Sequence, residues 1–109
     1  MKIHFKADGE VSILEISGEI DFNTSRDLRE KFQEILGKNP PKLLVNLKKV
    51  NYIDSSGLAT FVEALQQVKR YSGRLVLAGL VPAVRGVFEI AKLDSIFELI
   101  DSEERAFSN

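Results

Sequence analysis

The sequence contains no cysteine, one histidine and three prolines in 109 residues. Without cysteine, the chain can form neither a disulfide nor a thiolate metal site. Fifteen basic and sixteen acidic residues give a net charge of −1, so nothing indicates binding to nucleic acid or to an anionic membrane. No apolar run approaches the length of a membrane span, and the N-terminus lacks a signal-peptide pattern. We therefore expect one cytoplasmic domain over residues 1–109, with no membrane contact.

Common catalytic and nucleotide-binding motifs are also absent. The sequence has no Gly-x-Ser-x-Gly element, no P-loop and no Gly-x-Gly-x-x-Gly fingerprint. His4 falls on the solvated face of a predicted strand, which disfavours a Ser-His-Asp triad. Asp21 and Asp54 could meet at one end of a sheet, but two carboxylates make a weak metal site, and turn or capping roles are favoured. The sequence predicts no cofactor and no metal, and it favours a binding or switch module over an enzyme.

Hydrophobic periodicity predicts strands that alternate with helices. Period-two and buried apolar runs predict strands at about 2–7, 10–17, 43–47, 74–80 and 96–100. Apolar stripes at helical spacing predict helices that include Leu28–Leu36, Leu58–Val68 and Val84–Ala91. This order is typical of an α/β domain with a mixed, mostly parallel sheet of four to five strands and about four helices. The first two strands would form an N-terminal antiparallel hairpin.

Turn and capping residues mark several boundaries. Asp8-Gly9 predicts a two-residue hairpin turn. Gly18–Asp21 predicts a second loop, after which Asn23 or Thr24 caps a helix, and Asp27 would complete a capping box with Thr24. A capping box of Asp101 with Glu104 predicts the fourth helix, short and terminal, which Phe107 could anchor.

Residues 50–58 connect a predicted strand to a predicted helix and place two hydroxyls and a carboxylate at the junction. In an open α/β sheet, this end of a strand is where ligands and partners usually bind. A serine at the helix N-terminus would be exposed and suited to carry a phosphate. The alternative is that these residues are ordinary helix caps. Asp54, Ser55 and Ser56 are all candidates for the cap, and the capping-box partner is missing for each.

Three segments carry a resemblance to a known family. Ile53-Asp54-Ser55-Ser56-Gly57-Leu58 resembles the signature of bacterial anti-sigma factor antagonists, which are single STAS domains. Gly18-Glu19-Ile20-Asp21 is similar to the family's Gly-Glu-hydrophobic-Asp loop. Ala78-Gly79-Leu80-Val81-Pro82-Ala83-Val84 is similar to its strand–loop–Pro–helix segment. Together, the three segments extend the resemblance over nearly the whole chain and imply a STAS-like fold.

The resemblance implies a partner-switching function. In that family the unphosphorylated antagonist binds an anti-sigma factor that is also a serine kinase, which releases the sigma factor for transcription. The kinase then phosphorylates the first serine of the motif, and a protein phosphatase resets the switch. By position, Ser55 is the expected phosphoacceptor. The expected partner-binding residues are Asp21, Asn23, Asp54, Ser55, Ser56, Gly57 and Leu58.

Two other functions stay open at this point. A STAS domain could be an adaptor subunit of a stress-signalling or lipid-transport complex, where the same surface would dock another protein. Alternatively, the loops at this end of the sheet could bind a nucleotide or a lipid.

Overall fold

The computed structural model describes residues 1–103, which form five strands and three helices. In chain order these elements are β1 (Lys2–Asp8), β2 (Val11–Ile20), α1 (Ser25–Leu36), β3 (Lys42–Ile53), α2 (Ser55–Arg70), β4 (Arg74–Ala78), α3 (Pro82–Ile90) and β5 (Glu98–Ile100). This order agrees with the predicted alternation of strands and helices. The predicted terminal helix, with Glu104 and Phe107, lies outside the described residues.

The strands form one mixed sheet in the order β1-β2-β3-β4-β5. β1 is antiparallel to β2, and the remaining neighbours are parallel. The prediction of a mostly parallel sheet with an antiparallel hairpin is therefore confirmed. Because β2, β3 and β4 are parallel, their carboxyl ends lie along one edge, called here the C-terminal edge. The helices α1, α2 and α3 each begin after one of these strand ends.

β3 is longer than predicted, because it continues past Leu47 to Ile53. Its first half is buried on both faces, as the continuous apolar run indicated. Its second half pairs with the end of β2, where Gly18–Ile20 is also strand rather than the predicted loop. Two register shifts interrupt this pairing. The alternation of side chains is lost at such irregularities, which explains why the pattern ended too early in both strands.

Three helices pack on one face of the sheet. The core includes Leu28 and Phe32 of α1, Phe61 of α2 and Phe88 of α3. Edge-to-face aromatic contacts connect them, with ring centroids 5.5 Å apart for Phe32–Phe61 and 6.1 Å apart for Phe61–Phe88. These contacts join the three helices to one another across the sheet.

The opposite face of the sheet carries a smaller apolar cluster of Ile13, Leu44, Val76 and Ala78. Leu14, which follows Ile13, packs with the helices instead. The apolar residues of β2 therefore change face as the sequence indicated. Of the two explanations that the sequence left open, the first applies, since both faces carry apolar clusters and the pairing is regular from Val11 to Glu15. The register shifts begin only after Glu15 and do not cause the change.

Some local predictions were wrong. β1 is a more exposed edge strand than expected, with Phe5 38% exposed, because within residues 1–103 it has a neighbouring strand on one side only. The hairpin turn is Gly9-Glu10 rather than Asp8-Gly9, since Asp8 still pairs with Val11. Helix α3 begins at Pro82, in agreement with the strand–loop–Pro–helix segment that the resemblance implied. Among residues 1–103, the helices are too short or too polar to cross a membrane.

Candidate functional site

The candidate site lies at the C-terminal edge, where β2 and β3 end side by side. Ile20 and Ile53 are paired as the last residues of these strands, and Asp21 and Asp54 follow them directly. The backbone N–H of Asp54 donates to the carbonyl of Ile20 at 3.1 Å. The strand pairing therefore brings together two carboxylates that are 33 positions apart in the sequence.

Asp54 is the N-cap of α2. Its Oδ1 accepts hydrogen bonds from the backbone N–H groups of Ser56 at 2.9 Å and Gly57 at 3.1 Å. The Ser56 hydroxyl donates to the same oxygen at 2.6 Å. The other carboxylate oxygen, Oδ2, accepts from the backbone N–H of Phe22 at 3.1 Å. Of the three side chains that the sequence offered for the cap, the structure uses the Asp54 carboxylate.

These hydrogen bonds hold the pKa of the Asp54 carboxyl below its usual value. The Ser56 hydroxyl contributes most, and the backbone N–H groups of Gly57, Phe22 and Ser56 add to it, while partial burial opposes them. The carboxylate is therefore ionised at neutral pH. The helix N-terminus is the end at which a negative charge is favoured.

Asp21 and Thr24 organise the turn between β2 and α1. Asp21 Oδ1 accepts from the backbone N–H groups of Asn23 at 2.9 Å and Thr24 at 3.1 Å. Thr24 occupies the N-cap position of α1, but its hydroxyl donates backward to the carbonyl of Glu19 at 2.9 Å. The predicted capping box of Thr24 with Asp27 is therefore wrong, because the turn already uses the threonine side chain.

Ser55 and Ser56 have different environments although they are adjacent. Ser55 is exposed at the first position of α2, and its hydroxyl makes no hydrogen bond to any residue within 1–103. Ser56 is half-buried and its hydroxyl is bonded to Asp54. The hydroxyl that is accessible for chemistry is that of Ser55.

Gly57 and Leu58 have packing roles. Gly57 is buried between the strand ends, where an added Cβ would lie 2.7 Å from Ile53 Cγ1 and 2.8 Å from Ile20 Cγ2. Leu58 is partly buried and packs against the core. Glycine at this position therefore lets α2 begin directly against the ends of β2 and β3.

Sequence reasoning missed Phe22, whose side chain is 81% exposed in the turn after β2. It lines an open depression with Asn23, Ser25, Arg26, Arg29 and Ser56. One signal was available. Phe22 is a large apolar residue inside a polar turn that cannot bury it, between two residues predicted to bind a partner.

The acidic side chains of the site stabilise its backbone. Asp21 and Asp54 accept backbone hydrogen bonds, which confirms the turn and capping roles favoured by the sequence. Within residues 1–103 there is no group of three or more histidine, cysteine or acidic side chains that could hold a metal. His4 is exposed in β1, paired with Glu15.

Comparison with protein families and curated sequences gives a consistent result. The STAS domain family matches residues 2–106. The anti-sigma-B factor antagonist of Bacillus subtilis is 36% identical over 89 residues, which cover 82% of this chain and 81% of that protein. The anti-sigma-B factor antagonist of Listeria monocytogenes is 34% identical over 88 residues, which cover 81% and 77%.

Solved structures show the same fold. An anti-sigma factor antagonist from Mycobacterium paratuberculosis superposes with a TM-score of 0.87 at 24% identity, covering 94% of this chain and 87% of that one. The Bacillus cell fate determinant SpoIIAA, in its phosphorylated form, superposes with a TM-score of 0.76 at 20% identity, covering 96% of each chain.

Proposed function

The chain belongs to the STAS domain family of anti-sigma factor antagonists, and we propose that it is itself an antagonist switched by phosphorylation of Ser55. The unphosphorylated chain binds a cytoplasmic anti-sigma factor that is also a serine kinase, and this binding releases a sigma factor for transcription. Phosphorylation of Ser55 ends the binding, and a protein phosphatase restores it. In this cycle the chain acts by binding a partner rather than by catalysis.

The contrast between the two serines is the observation that carries this proposal. A kinase needs a hydroxyl that it can reach and that is free to attack a phosphoryl group. The Ser55 hydroxyl is exposed and has no partner within residues 1–103, whereas the Ser56 hydroxyl donates to Asp54 at 2.6 Å. The structure therefore supports Ser55 rather than Ser56 as the phosphoacceptor.

Relatives support both the partner and the chemistry. The curated relatives are named for opposing an anti-sigma factor. SpoIIAA, which shares the fold, exists in a phosphorylated form. The predicted partner-binding residues Asp21, Asn23, Asp54, Ser56 and Leu58 surround Ser55 on the C-terminal edge, so a partner bound there would cover the phosphoacceptor. Gly57 contributes by fixing the start of α2 against the strands.

Electrostatics indicates that the switch acts at the interface. A phosphate on Ser55 adds about two negative charges beside the ionised Asp54 carboxylate. The partner would have to desolvate both groups in order to bind. An anion at a helix N-terminus is tolerated or mildly stabilising, by about 0.3–1 kcal/mol, so α2 should stay folded. An interface penalty of about 2.7 kcal/mol would weaken binding about a hundredfold.

The proposed phosphorylation is tested by incubating the protein with ATP and the kinase-like anti-sigma factor of the same genome. Peptide-mapped mass spectrometry should find one phosphate on Ser55, in wild type and in Ser56→Ala but not in Ser55→Ala. Phosphate that persists in Ser55→Ala would place the modification elsewhere. An unmodified wild-type protein beside a kinase active on another substrate would contradict the switch.

The consequence for binding is tested with the same partner. Ser55→Ala should bind it constitutively, and Ser55→Asp and the phosphorylated protein should bind about a hundredfold more weakly. Circular dichroism should show equal helix content before and after phosphorylation. Loss of helical signal would mean that the switch works by unfolding α2 and would refute the interface mechanism.

A further inference from the structure

Phe22 places a large apolar side chain in solvent beside the proposed phosphorylation site. The ring is 81% exposed, although it follows β2 by only two positions. Single exposed apolar residues are common on protein surfaces and by themselves need no explanation. The surroundings of Phe22 distinguish it from an ordinary exposed residue.

The backbone around Phe22 is held rigidly. The Phe22 N–H donates to Asp54 Oδ2 at 3.1 Å, which ties the turn to the start of α2. On either side, the Asp21 N–H donates to the Thr24 hydroxyl at 2.9 Å and the Asn23 N–H donates to Asp21 Oδ1 at 2.9 Å. Three consecutive N–H groups are therefore bound by side chains, while the ring between them is exposed. A residue fixed in this way loses little backbone freedom when it binds a partner.

Two arginines lie beside the ring. Arg26 and Arg29 line the same depression as Phe22 and Ser56. Arg29 is engaged, because its Nε contacts Glu63 Oε2 at 2.8 Å. Arg26 is exposed and has no ion pair within residues 1–103. A partner surface that fits this arrangement has an apolar pocket for the Phe22 ring and, next to the pocket, a carboxylate for Arg26.

We propose that Phe22 is the apolar anchor through which the unphosphorylated chain binds its anti-sigma factor. The partner receives the ring in an apolar pocket bordered by at least one acidic residue that faces Arg26. A few residues near the centre of an interface, often aromatic residues or arginines, commonly contribute most of the binding energy. This inference rests on the proposed function, from which it takes the partner and the side of the domain that the partner covers.

The anchor and the switch share a structural element. Asp54 caps the helix that begins with Ser55 and also binds the N–H of Phe22. The ring is therefore fixed relative to the phosphoacceptor. A partner seated on Phe22 covers Ser55, so the kinase acts on a hydroxyl that its own docking brings near, and the new phosphate lies inside the interface.

The experiment measures binding of the unphosphorylated protein to the kinase-like anti-sigma factor of the same genome by calorimetry. Phe22→Ala should raise Kd at least tenfold, and Phe22→Leu should restore part of the affinity. Arg26→Glu should also weaken binding, with a salt dependence smaller than that of wild type. The matched control is Ile90→Ala, since Ile90 is 87% exposed at the C-terminal end of α3, away from the C-terminal edge. Ile90→Ala should bind like wild type.

The outcomes separate this inference from the proposed function. The Phe22 ring is exposed, so the melting temperatures of both alanine variants should match wild type and exclude misfolding as the cause. Wild-type affinity in Phe22→Ala, with Ser55 still phosphorylated and Ser55→Asp still weak, would overturn the anchor and leave the switch standing. Equal losses of affinity in Phe22→Ala and Ile90→Ala would also overturn the role of Phe22 as the anchor. A wild-type protein that neither binds nor becomes phosphorylated would overturn both.

Discussion

The Ser56 hydroxyl donates a hydrogen bond of 2.6 Å to Asp54 Oδ1, the same oxygen that caps α2. The neighbouring Ser55 hydroxyl points to no acceptor among residues 1–103. Two adjacent serines of the same motif therefore have different tasks. Ser56 supports the cap, whereas Ser55 is open to solvent.

This difference predicts opposite stability effects for two alanine variants. Ser56→Ala removes a hydrogen bond to a carboxylate and should lower the free energy of unfolding by about 1.5 kcal/mol. Ser55→Ala removes an exposed hydroxyl and should change it by less than about 0.5 kcal/mol. Urea denaturation of the two variants measures both values. Equal destabilisation by the two substitutions would contradict the assignment of tasks.

Asp54 should have two separable roles, as a cap and as a tether for Phe22. Asp54→Ala loses the cap and should lower the free energy of unfolding by about 1 kcal/mol. Asp54→Asn keeps a capping oxygen and should lower the free energy of unfolding by only a few tenths of 1 kcal/mol, since asparagine caps helices about as well as aspartate. Its side-chain NH₂ cannot accept from the Phe22 N–H. Hydrogen exchange at the Phe22 amide should therefore accelerate in Asp54→Asn while the Gly57 amide stays protected, and unchanged exchange at Phe22 would argue against the tether.

Gly57 should tolerate no side chain. A Cβ at this position would lie under 3 Å from both Ile20 and Ile53, so Gly57→Ala should destabilise the protein by about 1–3 kcal/mol. The matched control is Gly86→Ala within α3, where nothing beyond the adjacent residues and the helix's own backbone lies within 4 Å of the added carbon. That variant should be more stable than wild type by up to about 1 kcal/mol, because alanine favours helix. Thermal denaturation distinguishes the two signs, and a stable Gly57→Ala protein would mean that α2 can shift away from the strands.

The lowered pKa of Asp54 predicts an acid-dependent loss of stability. The carboxyl has a lower pKa in the folded chain than its ordinary value of 3.8. The contribution of the Asp54 carboxylate to the free energy of unfolding is therefore complete above its pKa in the unfolded chain. It is lost as the pH falls through the pKa in the folded chain. The stability difference between wild type and Asp54→Asn should be constant from pH 7 to about 5 and should change in favour of the variant below about pH 4. Urea denaturation across that range tests it, and a pH-independent difference would show that the capping hydrogen bonds do not favour the charged form.

Part of the site could be predicted from sequence. Asp21 and Asp54 follow predicted parallel strands, whose carboxyl ends lie at one edge, so their proximity followed from topology. The choice of Asp54 as the cap could not be predicted, because Asp54, Ser55 and Ser56 all have suitable oxygens. That choice depends on the backbone: Asp54 has extended dihedral angles, with ψ near −173°, which turn its side chain toward the N–H groups of the helix.

The failed capping box of α1 has the same kind of cause. Thr24 and Asp27 had the right spacing, but the threonine hydroxyl bonds to Glu19 and the Asp21 carboxylate holds the turn. Sequence spacing shows which hydrogen bonds are possible, whereas the competing acceptors appear only when the preceding strand is in place. The anchor proposed at Phe22 depends on the same three-dimensional arrangement.

The sequence by itself determined the order of strands and helices, the parallel core of the sheet and the edge on which its polar loops meet. Those features follow from local periodicity and from the geometry of parallel strands, which act within short segments. The tertiary structure decided how far β2 and β3 extend, which oxygen caps α2, and which serine remains exposed. These depend on hydrogen bonds between groups such as Phe22 and Asp54, 32 residues apart, whose partners exist only after β2 and β3 pair.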